Sequence, residues 1–184
     1  MAKRKGTTGS QPLAIELLGA DHRKVEGLFE QYEAEKEGDE EVKRGIATRI
    51  CGELTVHAQV EEEIFYPWLR ENLDENDMEM LEEAYVEHAG AKDLIAEIEA
   101  AGEIDEAFDA KVKVLGEYIK HHVKEEENEI FPEVREKGEE LDELGQQMQS
   151  RKTELMEELG MEGEDAPPAR GKAGSPRPAQ RGSH

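Results

Sequence analysis

Cysteine is nearly absent from this chain of 184 residues: Cys51 stands alone. A single thiol excludes an internal disulfide framework and a thiolate metal cage, and it fits a reducing compartment such as the cytoplasm. Aromatic residues make up only 5% and there is one tryptophan. Proline is also scarce where it would interrupt structure, since between residues 13 and 160 only Pro67 and Pro132 occur. No run approaches 18 consecutive apolar residues, which excludes a membrane-spanning helix. The basic start, Met1 to Ser10, is followed by no apolar run and does not read as a secretory signal.

Basic charge is scarce as well, with 23 Lys and Arg against 46 Asp and Glu and a formal net charge of −23. Setting aside three basic residues in 1–12, and four basic and two acidic residues in 164–184, leaves 16 basic against 44 acidic in 13–163, a net of −28. Such a body repels nucleic acid. No Gly-rich phosphate loop, serine nucleophile elbow or nucleic-acid module is present.

What is abundant is Glu, Lys, Ala and Leu at helical spacing, so the expected class is all-α. Residues 1–11 and 161–184 read as disordered tails, and 12–160 as one domain. Helix A starts near Pro12 and stops near Gly38, with the stripe Leu13, Leu17, Leu18, Val25, Leu28, Phe29, Tyr32. Helix B starts at Asp39 and carries Ile46, Ile50 and Leu54, with Pro67 expected to bend or end it. Helix C spans about Asp74 to Gly102. Helix D begins near Asp105, with Pro132 as its breaker. A shorter fifth helix, about 139–159, is expected to pack across the bundle end, and Trp68 to plug that end. Short connections make neighbouring helices antiparallel, giving an up-down-up-down four-helix bundle.

The bundle reads as a duplicated helical hairpin. His57-Ala-Gln-Val-Glu61-Glu62-Glu63-Ile64-Phe65-Tyr66-Pro67 recurs 65 positions later as His122-Val-Lys-Glu-Glu126-Glu127-Asn-Glu-Ile130-Phe131-Pro132, and His22 recurs 66 positions later as His88. A spacing of four places each His and Glu one turn apart on one helix face. His22, His57, Glu61, His88, His122 and Glu126 all fall on apolar stripes. Buried glutamates are costly unless paired or bound to a cation, so these six are the candidate metal ligands. A single histidine on an apolar face is more often a hydrogen-bonded core residue, but two copies in register are hard to obtain by accident. Six ligands are too many for one tetrahedral zinc, and imidazole with carboxylate and no thiolate suits iron or manganese.

The pattern His22 … His57-x-x-x-Glu61 … His88 … His122-x-x-x-Glu126 resembles the hemerythrin-like domain, the HHE cation-binding family. Asp21-His22 followed by Leu28-Phe29, and His57 through Pro67, carry the likeness, which covers about residues 13–160. The resemblance implies a non-haem site of two iron ions (Fe2+/Fe3+), oxo- or hydroxo-bridged. It assigns His22 and His57 to one iron, His88 and His122 to the other, and Glu61 and Glu126 to both. It implies O2, peroxide or nitric oxide as the small ligand, in sensing, buffering or stress response; composition and charge add a cytoplasmic protein without nucleic-acid or membrane partners, and monomer or dimer stays open. Oxygen carriers of the family have a further His one turn from the helix C ligand. Here those positions are Ala84 and Lys92, and Tyr85 is the residue expected to reach the gap. Carriers also place the last carboxylate five residues after the last His. Both Glu126 and Glu127 are available here, and regular helix geometry favours Glu126. Glu62, Glu63 and Glu127 read as a solvated face, His121 as exposed or behind His122, and Cys51 as a buried core residue. Two other functions stay open: a catalase-like enzyme that decomposes hydrogen peroxide at the same irons, and an acidic bundle whose His and Glu are structural.

Overall fold

The structure, a computed structural model, describes residues 12–35, 37–74 and 78–161. The two tails read from the sequence lie outside the described residues except for Met161, which packs against the core. Among the described residues there is no strand. Helix α1 spans Leu13–Ala34 and α2 spans Glu40–Val60. After a π-helical turn, Glu61–Phe65, the second helix continues as α3, Tyr66–Asn72. Helix α4 covers Met78–Glu99 and α5 covers Glu106–Glu125. A second π turn, Glu126–Ile130, leads into α6, Phe131–Val134, and a short 3-10 turn precedes α7, Gly138–Glu158.

Local chemistry sets the starts. Asp39 accepts from the backbone N–H groups of Glu41 at 2.8 Å and Val42 at 3.3 Å, and Asp105 accepts from Phe108 at 2.8 Å. Each satisfies donors that a helix start leaves without partners. At α1 the preceding Pro12 offers no side-chain cap. Asp142 of α7 supplies the acceptor instead, 2.8 Å from the Leu13 N–H.

Neither proline stops its helix where expected. Helical structure runs through Pro67 to Asn72 and through Pro132 to Val134. Each proline sits in the first turn of an α segment directly after a π turn, where an N–H lacking an α-helical partner costs little.

The hairpins α1–α2 and α4–α5 pack α2 on α4 and α1 on α5, closing a four-helix ring. Two apolar clusters fill it. One, around Leu18, Phe65, Tyr66 and Leu81, includes α7 residues Leu141 and Met148, with Trp68 packed at its margin. The other, around Val25, Ile50, Leu54, Ile95, Phe108 and Leu115, fills the opposite half and holds Cys51. Cys51 is fully buried, and burial followed by the Glu99 charge pushes its thiol up to about 12, consistent with a core role.

The fifth helix lies alongside α1 rather than across the bundle end. Asp142 meets Leu13, Gly145 meets Ala14, and Lys152 meets Asp21, so α7 and α1 run the same way. Its stripe of Leu141, Leu144, Met148 and Leu155 is buried along the bundle flank, not at its tip.

Candidate metal centre

Between the two apolar clusters lies a polar layer. All six side chains singled out in the sequence meet there: His22, His57, His88 and His122 are 3–6% exposed, and Glu61 and Glu126 are fully buried. The His22 and His57 ring centres are 5.0 Å apart, and those of His88 and His122 are 4.7 Å apart. The two glutamates span both pairs. Glu61 Oε2 lies 3.3 Å from His57 Nε2 and 3.3 Å from His88 Nε2. Glu126 Oε2 lies 3.3 Å from His22 Nε2 and 3.8 Å from His122 Nε2. Candidate ligand atoms gather into two groups, each within 4.8 Å: His22, His57, Glu61 and Glu126 in one, Glu61, His88 and His122 in the other.

The outward nitrogen of every imidazole faces a carboxylate. His22 Nδ1 is 3.0 Å from Glu127, His88 Nδ1 3.0 Å from Glu62, His122 Nδ1 2.9 Å from Glu87, and His57 Nδ1 3.6 Å from Asp21. These partners repeat with the hairpin: Glu62 corresponds to Glu127, and Asp21 to Glu87. A carboxylate at Nδ1 favours the proton there and leaves the Nε2 lone pair facing inward, the tautomer a metal ligand needs. Glu62 and Glu127 are therefore more than the solvated face expected of them, although Glu63 does turn outward, to Arg151. Asp21 and Glu87 carried a legible signal, an acidic residue immediately before the histidine in both halves.

The π turns explain a residue that the sequence reading passed over. Their backbone bonds run five residues back, from Tyr66 to Glu61 and from Phe131 to Glu126. This stacks Tyr66 on the face of Glu61, where a regular helix would place Phe65. Both aromatics are buried, and the Tyr66 hydroxyl lies 3.2 Å from Glu126 Oε1 and 3.2 Å from His88 Nε2. Tyr85, expected to reach the layer, is only partly buried and packs edge-on against Tyr66, ring centres 5.1 Å apart. Phe131, in the matching position of the other half, stacks parallel to His22 and contributes no polar atom.

Charge in this layer is unevenly held. Burial raises Glu61 well above the usual carboxylate range, and the Glu126 charge raises it further. Burial also disfavours the charged form of Glu126, but His122 and His22 outweigh it and hold that carboxyl below its usual range. Burial works against protonated His22, yet Glu126 lifts it to about 9. His57, with less compensation from Asp21, falls to about 4 through burial. His22 Nε2, both Glu61 oxygens and Glu126 Oε2 are buried without a hydrogen-bond partner, as is His57 Nδ1, which faces Asp21 at 3.6 Å. Unpartnered polar atoms of this kind are rare in a packed interior, and here they converge. His88 Nε2 and His122 Nε2 are 3.1 Å apart and hydrogen-bond to each other, and the layer as a whole, with its unpartnered atoms of His22, Glu61 and Glu126, has the donor set of a site for a pair of cations.

An all-α bundle with an internal imidazole–carboxylate centre defines a class of metal-binding helical proteins. The hemerythrin HHE cation binding domain family matches residues 13–134, and the chain belongs to that family. The match ends before α7. A DNA nickase of Nostoc sp. (strain PCC 7120 / SAG 25.82 / UTEX 2576) is 28% identical over 147 residues, covering 79% of this chain and 40% of that protein. The chain thus spans about two fifths of the length of that relative. No solved structure matches the chain. No helix among the described residues is long and apolar enough to cross a membrane.

Proposed function

We propose that the chain is a non-haem di-iron protein that binds a small ligand, O2, peroxide or nitric oxide. His22 and His57 would hold one iron, His88 and His122 the other, with Glu61 and Glu126 shared between them. The observation that carries this reading is the convergence of buried, unpartnered atoms from His22, Glu61 and Glu126 at one point. Iron bound there supplies electron transfer toward small oxidants and gases.

The chain's own residues define what reaches that point. A small cavity of about 20 Å3 adjoins all four histidines and is walled mainly by Val25, Leu54, Ala91, Ile95 and Ile119, with Asp21 and Lys92 at its margin. Those apolar residues lie one turn from the histidines, or two for Ile95, on the side away from the glutamates. Its volume is about that of one water-sized molecule, and its apolar wall favours a diatomic gas over water. Outer carboxylates hydrogen-bond three of the imidazoles and Asp21 faces the fourth at 3.6 Å, and Phe131 and Tyr66 close the other side.

The Tyr66 hydroxyl supports a second reading, decomposition of hydrogen peroxide. It is a buried hydroxyl that donates to Glu126, and burial followed by the charges of Glu126 and Glu61 raises it well above its usual value, so it holds its proton and can donate a hydrogen bond to a bound peroxide oxygen. The nickase's activity is a property of a much longer protein, and the acidic body of this chain is a poor surface for DNA.

Metal analysis with visible spectroscopy of aerobic and azide-treated protein tests the first reading, with two irons per chain and an azide-sensitive spectrum expected. Iron-free protein whose stability is unchanged by added iron would overturn it. Tyr66→Phe separates the two readings. Sustained oxygen release from peroxide that falls at least tenfold in this variant, at unchanged iron content, identifies an enzyme. A stable adduct without turnover identifies a binder.

A further inference from the structure

We propose that the open seam between α4 and α5 is the entry path for the divalent cation, with His121, Glu87 and Glu125 as an outer capture site. This rests on the reading that the buried His/Glu layer holds metal. His121 Nε2 is 3.0 Å from Glu125 Oε1 and 3.5 Å from Glu87 Oε1, and candidate ligand atoms of the three lie within 4.8 Å of one another. Glu87 belongs to both layers, because its other oxygen is 2.9 Å from His122 Nδ1.

A cavity of about 40 Å3 lies beside this outer group, sharing Glu87 and Glu125 with it but not His121. Glu83, Glu87, Glu125 and Glu129 line it, and it ends on His122 and Glu126. Fully buried Glu126 lines that inner end, and its Oε2, without a hydrogen-bond partner, lies in the inner layer 3.8 Å from His122 Nε2 and 3.3 Å from His22 Nε2. A low-dielectric passage walled by carboxylates concentrates divalent cations and passes them inward from oxygen to oxygen.

The duplicated hairpin supplies an internal comparison. By the repeat offset, His121 and Glu125 correspond to Val56 and Val60, which are 1% and 2% exposed. Glu87 corresponds to Asp21, which pairs with the Lys152 ammonium from α7. The first half therefore already has a cation on its outer carboxylate and apolar residues beneath a covering helix. In the second half the corresponding positions present His121, 59% exposed at its side chain, and Glu125, 32% exposed. One seam is sealed, and the other is built from metal-ligating groups.

The test is stopped-flow uptake of Co2+ by full-length, metal-free protein, followed through the visible absorption of bound Co2+. His121→Ala, Glu125→Gln and Glu129→Gln should each slow uptake roughly tenfold while reaching the wild-type final occupancy. Glu33→Gln, in the groove between α1 and α5, should keep the wild-type rate. Circular dichroism confirms that each variant is folded. Wild-type rates in the seam variants, or equal slowing in Glu33→Gln, would overturn the entry path while leaving the inner site standing. Wild-type protein that takes up no Co2+ would overturn the inner site itself.

Discussion

At the scale of single residues, the decisive distinction is between glutamates that look alike in the sequence. Glu61, Glu62 and Glu63 are consecutive, yet Glu61 is fully buried among imidazoles, Glu62 holds His88 from outside, and Glu63 pairs with Arg151 at the surface. If the proposed di-iron site holds, Glu61→Ala or Glu126→Ala should reduce bound iron from about two per chain to below one, since each carboxylate would be shared by both ions. Glu63→Ala should leave iron content unchanged. Equal loss in all three, measured by metal analysis after desalting, would indicate nonspecific binding to an acidic surface.

The protonation pattern gives a pH dependence. His22, lifted to about 9, carries a proton near neutrality in the metal-free protein, and Glu61, raised well above its usual range, holds one to higher pH than an ordinary carboxyl. A metal must displace those protons, so affinity should strengthen as pH rises toward 9 and weaken in acid. Loading at pH 7 in weak buffer should release protons, about one of them from His22. Loading with no proton release would contradict these assignments.

At the scale of elements, the two π turns matter most. A π turn contains one residue more than an α turn, and both turns begin at the inner glutamate. Deleting the exposed Glu63 removes that extra residue and keeps the flanking helices in phase. The bundle should then keep or gain thermal stability, while Glu62 loses its place on His88 and metal affinity falls about tenfold. Thermal denaturation and chelator competition read the two effects separately. A deletion that unfolds the bundle would assign the turn to packing instead. The amphipathic stripes, the acidic caps Asp39 and Asp105, and the His-x-x-x-Glu spacing were legible because each obeys a local rule. The π turns were not. Nothing in Glu61–Phe65 breaks the α-helical pattern by itself, and the consequence, Tyr66 rather than Tyr85 at the centre, depends on the change of phase.

At the scale of the whole molecule, the helix outside the family match finishes the structure. α7 closes the flank of α1 and α2, caps Leu13 through Asp142, and places Lys152 on Asp21 behind His57. Its closest approach is at Gly145, where an added Cβ would lie 2.5 Å from the backbone nitrogen of Ala14. Gly145→Ala should therefore push α7 off α1 and cost about 1–3 kcal/mol in urea denaturation. Unchanged stability would mean that α7 docks loosely. The helix also makes the duplicated bundle asymmetric, since only one of two equivalent seams lies beneath it.

The sequence by itself determined the helices, their pairing as a repeated hairpin, and the six His and Glu side chains that share the bundle's centre. Helical periodicity and a 65-residue repeat record those facts in the order of residues, because they depend on neighbours one turn away. Only the tertiary structure decided which second carboxylates hold the imidazoles, that Tyr66 enters the layer, and that α7 runs along α1. These depend on helix phase after a π turn and on contacts between residues more than a hundred positions apart, such as Asp21 with Lys152, which no local pattern encodes.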